Sequence, residues 1–257
     1  MITKKYTSGL LLILSCTFTA FSQKLPEKQE TGVYASSNVK LDGKITEWGN
    51  LQAYNPATEI SYTMANDDNN LYFVCSSIIP ETIQKIQLSG ITLTISPVDK
   101  KSVVEPVAIT YPIVPWVNVQ INYDLREKAP LKESLVSTIN DKISGYLKEI
   151  KISGVKDFPE GSIPVYNDKG IVGGHYISKD KVYTYELSFP LSLIRSLLND
   201  KDTFNYKVQV NGMGKDVITV GGVGPGMSAP SDKPAQPGAS YNTAPTYFNA
   251  TYTLSKK

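Results

Sequence analysis

Apolar and polar residues alternate with a period of two along much of this chain, the pattern of half-buried strands. In residues 59–65, Ile60, Tyr62 and Met64 alternate with Ser61 and Thr63. The turn cluster Asn66-Asp67-Asp68-Asn69-Asn70 follows, and residues 71–77 return as a more apolar strand, so the pair reads as a hairpin. Residues 91–95 alternate again. Residues 175–178 and 182–189 flank Lys179-Asp180-Lys181 as a second hairpin, whose later strand stops at Pro190. Residues 150–155, 204–210 and 247–254 are further strands. Residues 216–220 are expected to pair with 204–210 across the glycines at 212 and 214.

The period lengthens in three places. Residues 132–148 set Leu135, Ile139, Ile143 and Leu147 four apart, with Val136 and Tyr146 beside them. That spacing predicts an amphipathic helix, weakened near its end by Gly145. Residues 80–88 lie between Pro80 and Gly90, a helix start and stop. Residues 191–198, with Leu191, Ile194 and Leu198 on one side, read as a short helix. Residues 103–122 are dense in β-branched side chains but broken by Pro106, Pro112 and Pro115. Proline has no N–H to give a ladder, which predicts edge or irregular strands there. Residues 221–245, rich in Gly, Pro, Ser and Ala, predict a long loop.

These elements predict a mainly β fold: an antiparallel, jelly-roll-like sandwich with one amphipathic helical insertion and a short helix. No change of composition divides residues 38–257, so they read as one domain with an insertion around 100–160. The polar stretch 23–37 reads as a flexible leader.

The first 22 residues carry a different message. Lys4 and Lys5 precede an apolar run from Gly9 to Phe21, which ends in Ala20-Phe21-Ser22. A basic start, a short apolar core and small residues before a cut make a secretory signal peptide, cleaved after Ser22. The run is short of the roughly 20 residues of a membrane span, so no integral span is expected in the mature chain. Cys16 invites lipidation, but the bulky Leu14 two residues ahead fits a lipoprotein signal poorly, and Ala20-Phe21-Ser22 fits ordinary cleavage better. The expected address is secreted or periplasmic.

Charge and thiols follow from that cut. The chain holds 26 basic and 24 acidic residues, and the signal removes two lysines and no acid, leaving the charges balanced. A neutral protein lacks the clustered Lys and Arg that nucleic acid demands, so none is expected as partner. After cleavage Cys75 is the one cysteine, set in an apolar strand, and reads as a small buried hydrophobe with no disulfide.

The opening block resembles the family 9 carbohydrate-binding modules and the wider DOMON-like sandwiches. The residues that carry the likeness are Leu41-Asp42-Gly43, Glu47-Trp48, the Asn66–Asn70 turn and Leu71-Tyr72-Phe73-Val74. The order after Tyr185-Glu186-Leu187 is similar too. The resemblance implies a sandwich, with Trp48 as a core residue. Sugar-binding members hold a pyranose between two aromatic rings, one before the central strand and one in the loop before the last. Residues 80–90 contain no aromatic residue here, and the later loop offers Tyr241 and Tyr247 but no Trp. The clamp is therefore absent or rebuilt. Some DOMON-like members bind haem through Met and His. Met64, Met213, Met227 and His175 are the residues for it here, and no haem is expected.

Trp116, after Pro115 in a broken segment, is the leading ligand-stacking candidate, with Tyr111 and Tyr123 as a platform and Tyr241 and Tyr247 across the loop. Tyr111 is an odd number of residues from Trp116, so a regular strand would point the two rings to opposite faces. Asp67 and Asp68 supply oxygens of the kind calcium prefers. The same residues also make ordinary turns, and the turn reading is preferred. His175 is the single histidine, read as a strand residue: no G-x-S-x-G elbow or zinc-ligand set accompanies it. The acids Glu59, Glu105, Glu160 and Glu186 are scattered, and Glu186 is expected to be buried against a basic partner. Gly221-Gly222-Val223-Gly224-Pro225-Gly226 is followed by neither the Gly-Lys-Ser/Thr nor the helix start of a phosphate loop, and reads as a flexible loop. No enzymatic chemistry is expected. The expected function is non-catalytic binding of a carbohydrate or envelope glycan. The alternative is a cell-envelope protein-interaction or assembly protein.

Overall fold

Alternation in the sequence becomes alternation in burial. The computed structural model describes residues 24–36, 39–114, 125–127, 129–156, 158, 161–212 and 244–257. Among them, β5 (Ile91–Ser96) buries Ile91, Leu93 and Ile95 and leaves Thr92, Thr94 and Ser96 partly exposed. β11 (Thr203–Val210) repeats the pattern with Phe204, Tyr206, Val208 and Val210 inside. The other strands are β1 (Val33–Tyr34), β2 (Ala53–Asn55), β3 (Ile60–Asn66), β4 (Asn70–Ser77), β6 (Val107–Ile113), β7 (Glu149–Ser153), β8 (Ser162–Pro164), β9 (Val172–Ile177), β10 (Tyr183–Pro190) and β12 (Thr246–Thr253). Two α-helices join them, α1 (Pro80–Ser89) and α2 (Glu133–Tyr146).

The strands form two six-stranded sheets. The first runs β1-β3-β4-β10-β9, with β2 also on β3, and the second β12-β11-β5-β6-β7-β8. Every pairing is antiparallel except β1 with β3. The expected β-sandwich is the observed fold. Aromatic rings bridge its two layers: Tyr62 of β3 lies 4.8 Å from Phe248 of β12, and Tyr111 of β6 lies 5.5 Å from Tyr185 of β10. The hydroxyls of Tyr62 and Tyr206 meet at 3.2 Å between the layers. Each such ring brings about 1.5–3 kcal/mol of apolar burial, and the pairing keeps the hydroxyls from being stranded.

Three elements depart from the sequence expectation. Residues 191–198 form two 3-10 turns, Leu191–Leu193 and Arg195–Leu197, rather than an α-helix. β6 carries Pro112 yet is an interior strand, flanked by β5 and β7. The register of β6 on β7 shifts between Thr110 and Ile113, so the missing N–H falls where the ladder is already interrupted. Leu135, expected on the buried stripe of α2, is exposed, while Val136, Ile139 and Ile143 are buried. The 216–220 strand and most of the 221–245 loop lie outside the described residues.

Side-chain amides close the gaps in the ladders. On β3, β2 pairs up to Tyr62 and β1 begins at Ala65, leaving Thr63 and Met64 between them. The Gln29 amide fills that gap: its Nε2 donates to the Met64 carbonyl at 2.8 Å, and its Oε1 accepts from the Met64 N–H at 2.7 Å. Asn140 of α2 does the same for Ile177 on β9, donating at 2.9 Å and accepting at 2.8 Å. That contact ties the helix to the sheet edge. A sheet edge satisfied in this way offers no template to another chain.

Replacing Asn140 by Asp keeps size and acceptor but removes the donor and sets a carboxylate against the Ile177 carbonyl. We expect a loss of about 1–3 kcal/mol of stability in urea unfolding. An unchanged midpoint would show that α2 is held by its apolar stripe alone.

Candidate functional site

The Asp42-Gly43 turn lies across the outer face of the first sheet. Asp42 accepts the Lys44 N–H at 2.9 Å, a local turn bond of the kind Asp makes readily. Gly43 has φ +82°, and a Cβ on it would collide with the His175 carbonyl, so glycine is required twice over. The chain then forms a 3-10 turn, Thr46–Trp48. Here Trp48 tilts against Tyr72 with ring centroids 5.4 Å apart. Trp48 packs with Val33, Ala35, Val39, Leu41, Ala65 and Tyr72 on the outside of the sheet. It was expected in the core; it is half-buried in this smaller cluster, because it caps the sheet rather than lying between the two.

Glu186 of β10 holds this cover in place. Its Oε1 accepts the Trp48 indole N–H and its Oε2 the Gly43 N–H, each at 2.7 Å. The Thr184 hydroxyl also donates to the Gly43 carbonyl. Among the described residues no basic side chain forms an ion pair with Glu186. The ion pairs among the described residues are Arg126–Glu81, Lys169–Asp168 and Lys256–Asp202. Burial pushes the Glu186 carboxyl up to about 7; the two N–H donors pull it back, and the nearby Asp42 and Glu47 add to the rise.

A second polar group lies inside the sandwich. Tyr62, Cys75, Tyr185 and His175 are register neighbours across β3, β4, β10 and β9. Tyr111 reaches over from β6, its ring above Gly173, where a Cβ would stand 2.7 Å from ring carbons. The Tyr111 hydroxyl meets His175 Nδ1 at 2.9 Å. Burial lowers the imidazole to about 4, so His175 is neutral at pH 7. His175 Nε2 and the Tyr185 hydroxyl have no partner among the described residues. Cys75 is fully buried and burial raises its thiol, which leaves it inert.

The turn between β3 and β4 spends its oxygens on itself. Asp67 Oδ1 accepts the N–H groups of Asn69 and Asn70 at 2.7 and 2.6 Å, and Oδ2 accepts the Tyr72 hydroxyl at 2.6 Å. Among the described residues no three His, Cys, Asp or Glu side chains converge as a metal site.

The outer face of the second sheet is of another kind. Lys151, Thr110, Thr92, Gln209 and Tyr247 form one row across β7, β6, β5, β11 and β12. Ser153, Ala108, Thr94, Lys207 and Asn249 form the next. All ten are exposed or partly exposed. On the first sheet's outer face, by contrast, Thr63, Ala65, Tyr72, Val74, Thr184, Glu186 and Ser188 are buried. Thr92 and Thr110 share a hydroxyl bond of 2.8 Å, and Asn211 links Thr92 to Gln209. The Tyr247 ring is 53% exposed, with Lys207 Nζ 4.6 Å from its centroid.

Of the residues expected to meet a ligand, Tyr247 is on this open face. Tyr111 is removed from any solvent platform: it is 1% exposed, because its strand turns it into the core. Trp116, Tyr123 and Tyr241 lie outside the described residues, as do Cys16, Met213, Met227 and Glu160. Asp68 sits in the β3–β4 turn, and Met64 is fully buried. Glu59 accepts the Thr82 hydroxyl at 2.6 Å. Sequence reasoning missed the rows around Lys207. The alternation of Asn205, Lys207 and Gln209 marked a polar side of one strand, but the cross-strand register that assembles the face is not a local property. No family model, no curated protein and no solved structure matches this chain.

A carboxyl whose pKa is raised by folding stabilises the fold fully below its unfolded value, near 4.5, and loses that contribution as pH rises through about 7. We expect the unfolding free energy to fall between pH 5 and 8, and the fall to be shallower in Glu186→Gln. Parallel pH profiles from chemical denaturation would remove Glu186 from this role.

Proposed function

We propose that this chain is a secreted or periplasmic, non-catalytic binding module for a carbohydrate or cell-envelope glycan. The observation that carries the reading is the face of the second sheet that the described residues leave open, lined by hydroxyls and amides and bordered by the exposed Tyr247 ring. A sugar offers C–H faces that stack on an aromatic ring and hydroxyls that exchange hydrogen bonds with Thr, Asn and Gln. A protein partner of the usual kind would ask for an apolar centre, and these two rows hold only Ala108 and Tyr247 as apolar members. The signal-like N-terminus and the likeness to family 9 modules support the same reading from sequence. In it, Trp116, Tyr123 and Tyr241 remain stacking candidates.

The other reading is an envelope interaction or assembly protein. Large exposed apolar side chains are found at Ile78, Val103 and Tyr166, which sit on three different connections. No helix among the described residues is long and apolar enough to cross a membrane.

A glycan array probed with the protein tests the proposal, followed by titration of the best ligand. Tyr247→Ala should weaken that ligand about tenfold, roughly 1.4 kcal/mol, with the melting temperature unchanged. An array with no bound glycan would favour the interaction protein.

A further inference from the structure

Charge on the open face narrows the ligand. The two rows contain Lys151 and Lys207 and no carboxylate. Neither lysine makes an ion pair among the described residues. The whole chain has nearly as many acids as bases, 24 against 26. The acid nearest these rows on the same face is Glu149, two residues before Lys151 on β7, and it accepts the Ser162 hydroxyl at the sheet's edge, so the two lysines are the charges of the rows themselves. The rows cross five strands, four spacings of about 4.8 Å, so the track is about 19 Å long. Lys207 and Lys151 stand three strands and one row apart, about 16 Å. Tyr247 ends the track beside Lys207, and the hydroxyls and amides of Thr110, Thr92 and Gln209 lie between Tyr247 and Lys151. The Thr92–Thr110 bond and the Asn211 links hold those groups in place before any ligand arrives.

Resting on the glycan-binding reading above, we propose that this face binds an acidic polysaccharide laid across the strands. Tyr247 stacks on one sugar ring. Lys207 and Lys151 each meet a carboxylate or sulfate on separated residues, and the Thr and Gln side chains bond the hydroxyls between them. Two cations about 16 Å apart reach acidic groups on separated sugars of one chain. Two cations and one exposed ring fall short of the continuous basic groove and the several stacking rings that hold single-stranded nucleic acid.

The test uses the whole protein in affinity electrophoresis and calorimetry, with polygalacturonate, alginate and hyaluronate as acidic probes. Fully methyl-esterified polygalacturonate and xylan serve as neutral probes, and oligo-dT as the nucleic-acid probe. The expected result is that at least one acidic probe binds tenfold or more tightly than the neutral ones, and that the preference shrinks with salt. Lys207→Gln combined with Lys151→Gln should abolish the preference, Lys207→Arg should keep it, and Tyr247→Ala should weaken acidic and neutral probes alike. All three side chains are exposed or partly exposed, so matched thermal melts separate binding from folding. Acidic binding that is indifferent to the lysine and tyrosine changes overturns this face as the site and leaves the glycan reading standing. Neutral probes bound as tightly as acidic ones overturn the acidic assignment. Tighter binding of oligo-dT overturns it in favour of nucleic acid. Binding of no polysaccharide at all overturns the glycan reading itself.

Discussion

The Glu186 carboxylate is the point on which the two sides of this sandwich become different. Its two oxygens take one N–H from Gly43 and one from Trp48, so a single side chain on β10 fixes both ends of the turn that crosses the first sheet. With the turn fixed, Leu41 and Trp48 lie on Ala65 and Tyr72 and the outer face of that sheet leaves water. A carboxylate without a cation costs free energy to bury, and the raised carboxyl is the trace of that cost. The arrangement is tolerated because both oxygens are bonded and because the cover it secures buries several apolar side chains. The second sheet has no such cover among the described residues, and its outward positions are polar throughout the two central rows.

Much of the layered architecture could be read along the chain, for a local reason. Side-chain direction in a strand has period two, so Ile60, Tyr62 and Met64, or Phe204, Tyr206 and Val208, declare their inner face without reference to any partner. The α1 boundaries were legible for the same reason, since Pro80 and Gly90 act on their own backbone. Properties set by distant residues were not. Nothing near Pro112 says that β6 will be an interior strand. Glu186 looked like half of an ion pair, and its true partners stand 138 and 143 residues earlier. Tyr111 looked like a platform ring because the Pro-broken segment around it suggested a surface. Its parity with Ile109 on β6, both buried, was the better guide.

The same distinction explains the amide side chains. Gln29, Asn66 and Asn140 each exchange two hydrogen bonds with the N–H and carbonyl of one distant residue, respectively Met64, Ser255 and Ile177. A primary amide has the donor and acceptor of a peptide group and replaces one where the ladder runs out. In sequence these residues are indistinguishable from ordinary turn formers. In the fold they fix the leader to β3, the C-terminal segment to the β3 end, and α2 to the edge at β9. A carboxylate of the same shape would satisfy only half of each pair.

These closures bear on where a ligand belongs. On the β9 edge Ile177 is occupied by Asn140, β3 is filled by Gln29 beside β1 and β2, and the outer face of the first sheet is sealed by Trp48 and the Gly43 turn. The interior holds His175 and Tyr185, with polar atoms lacking partners among the described residues, packed against the Tyr111 ring. What the described residues leave exposed is a broad sheet surface on which Thr92, Thr110, Gln209 and Asn211 bond to one another. Such a surface gains little by meeting another apolar protein. On the reading proposed above, the ligand is a molecule itself covered in hydroxyls, a chain of sugar rings, which would take the place of that water.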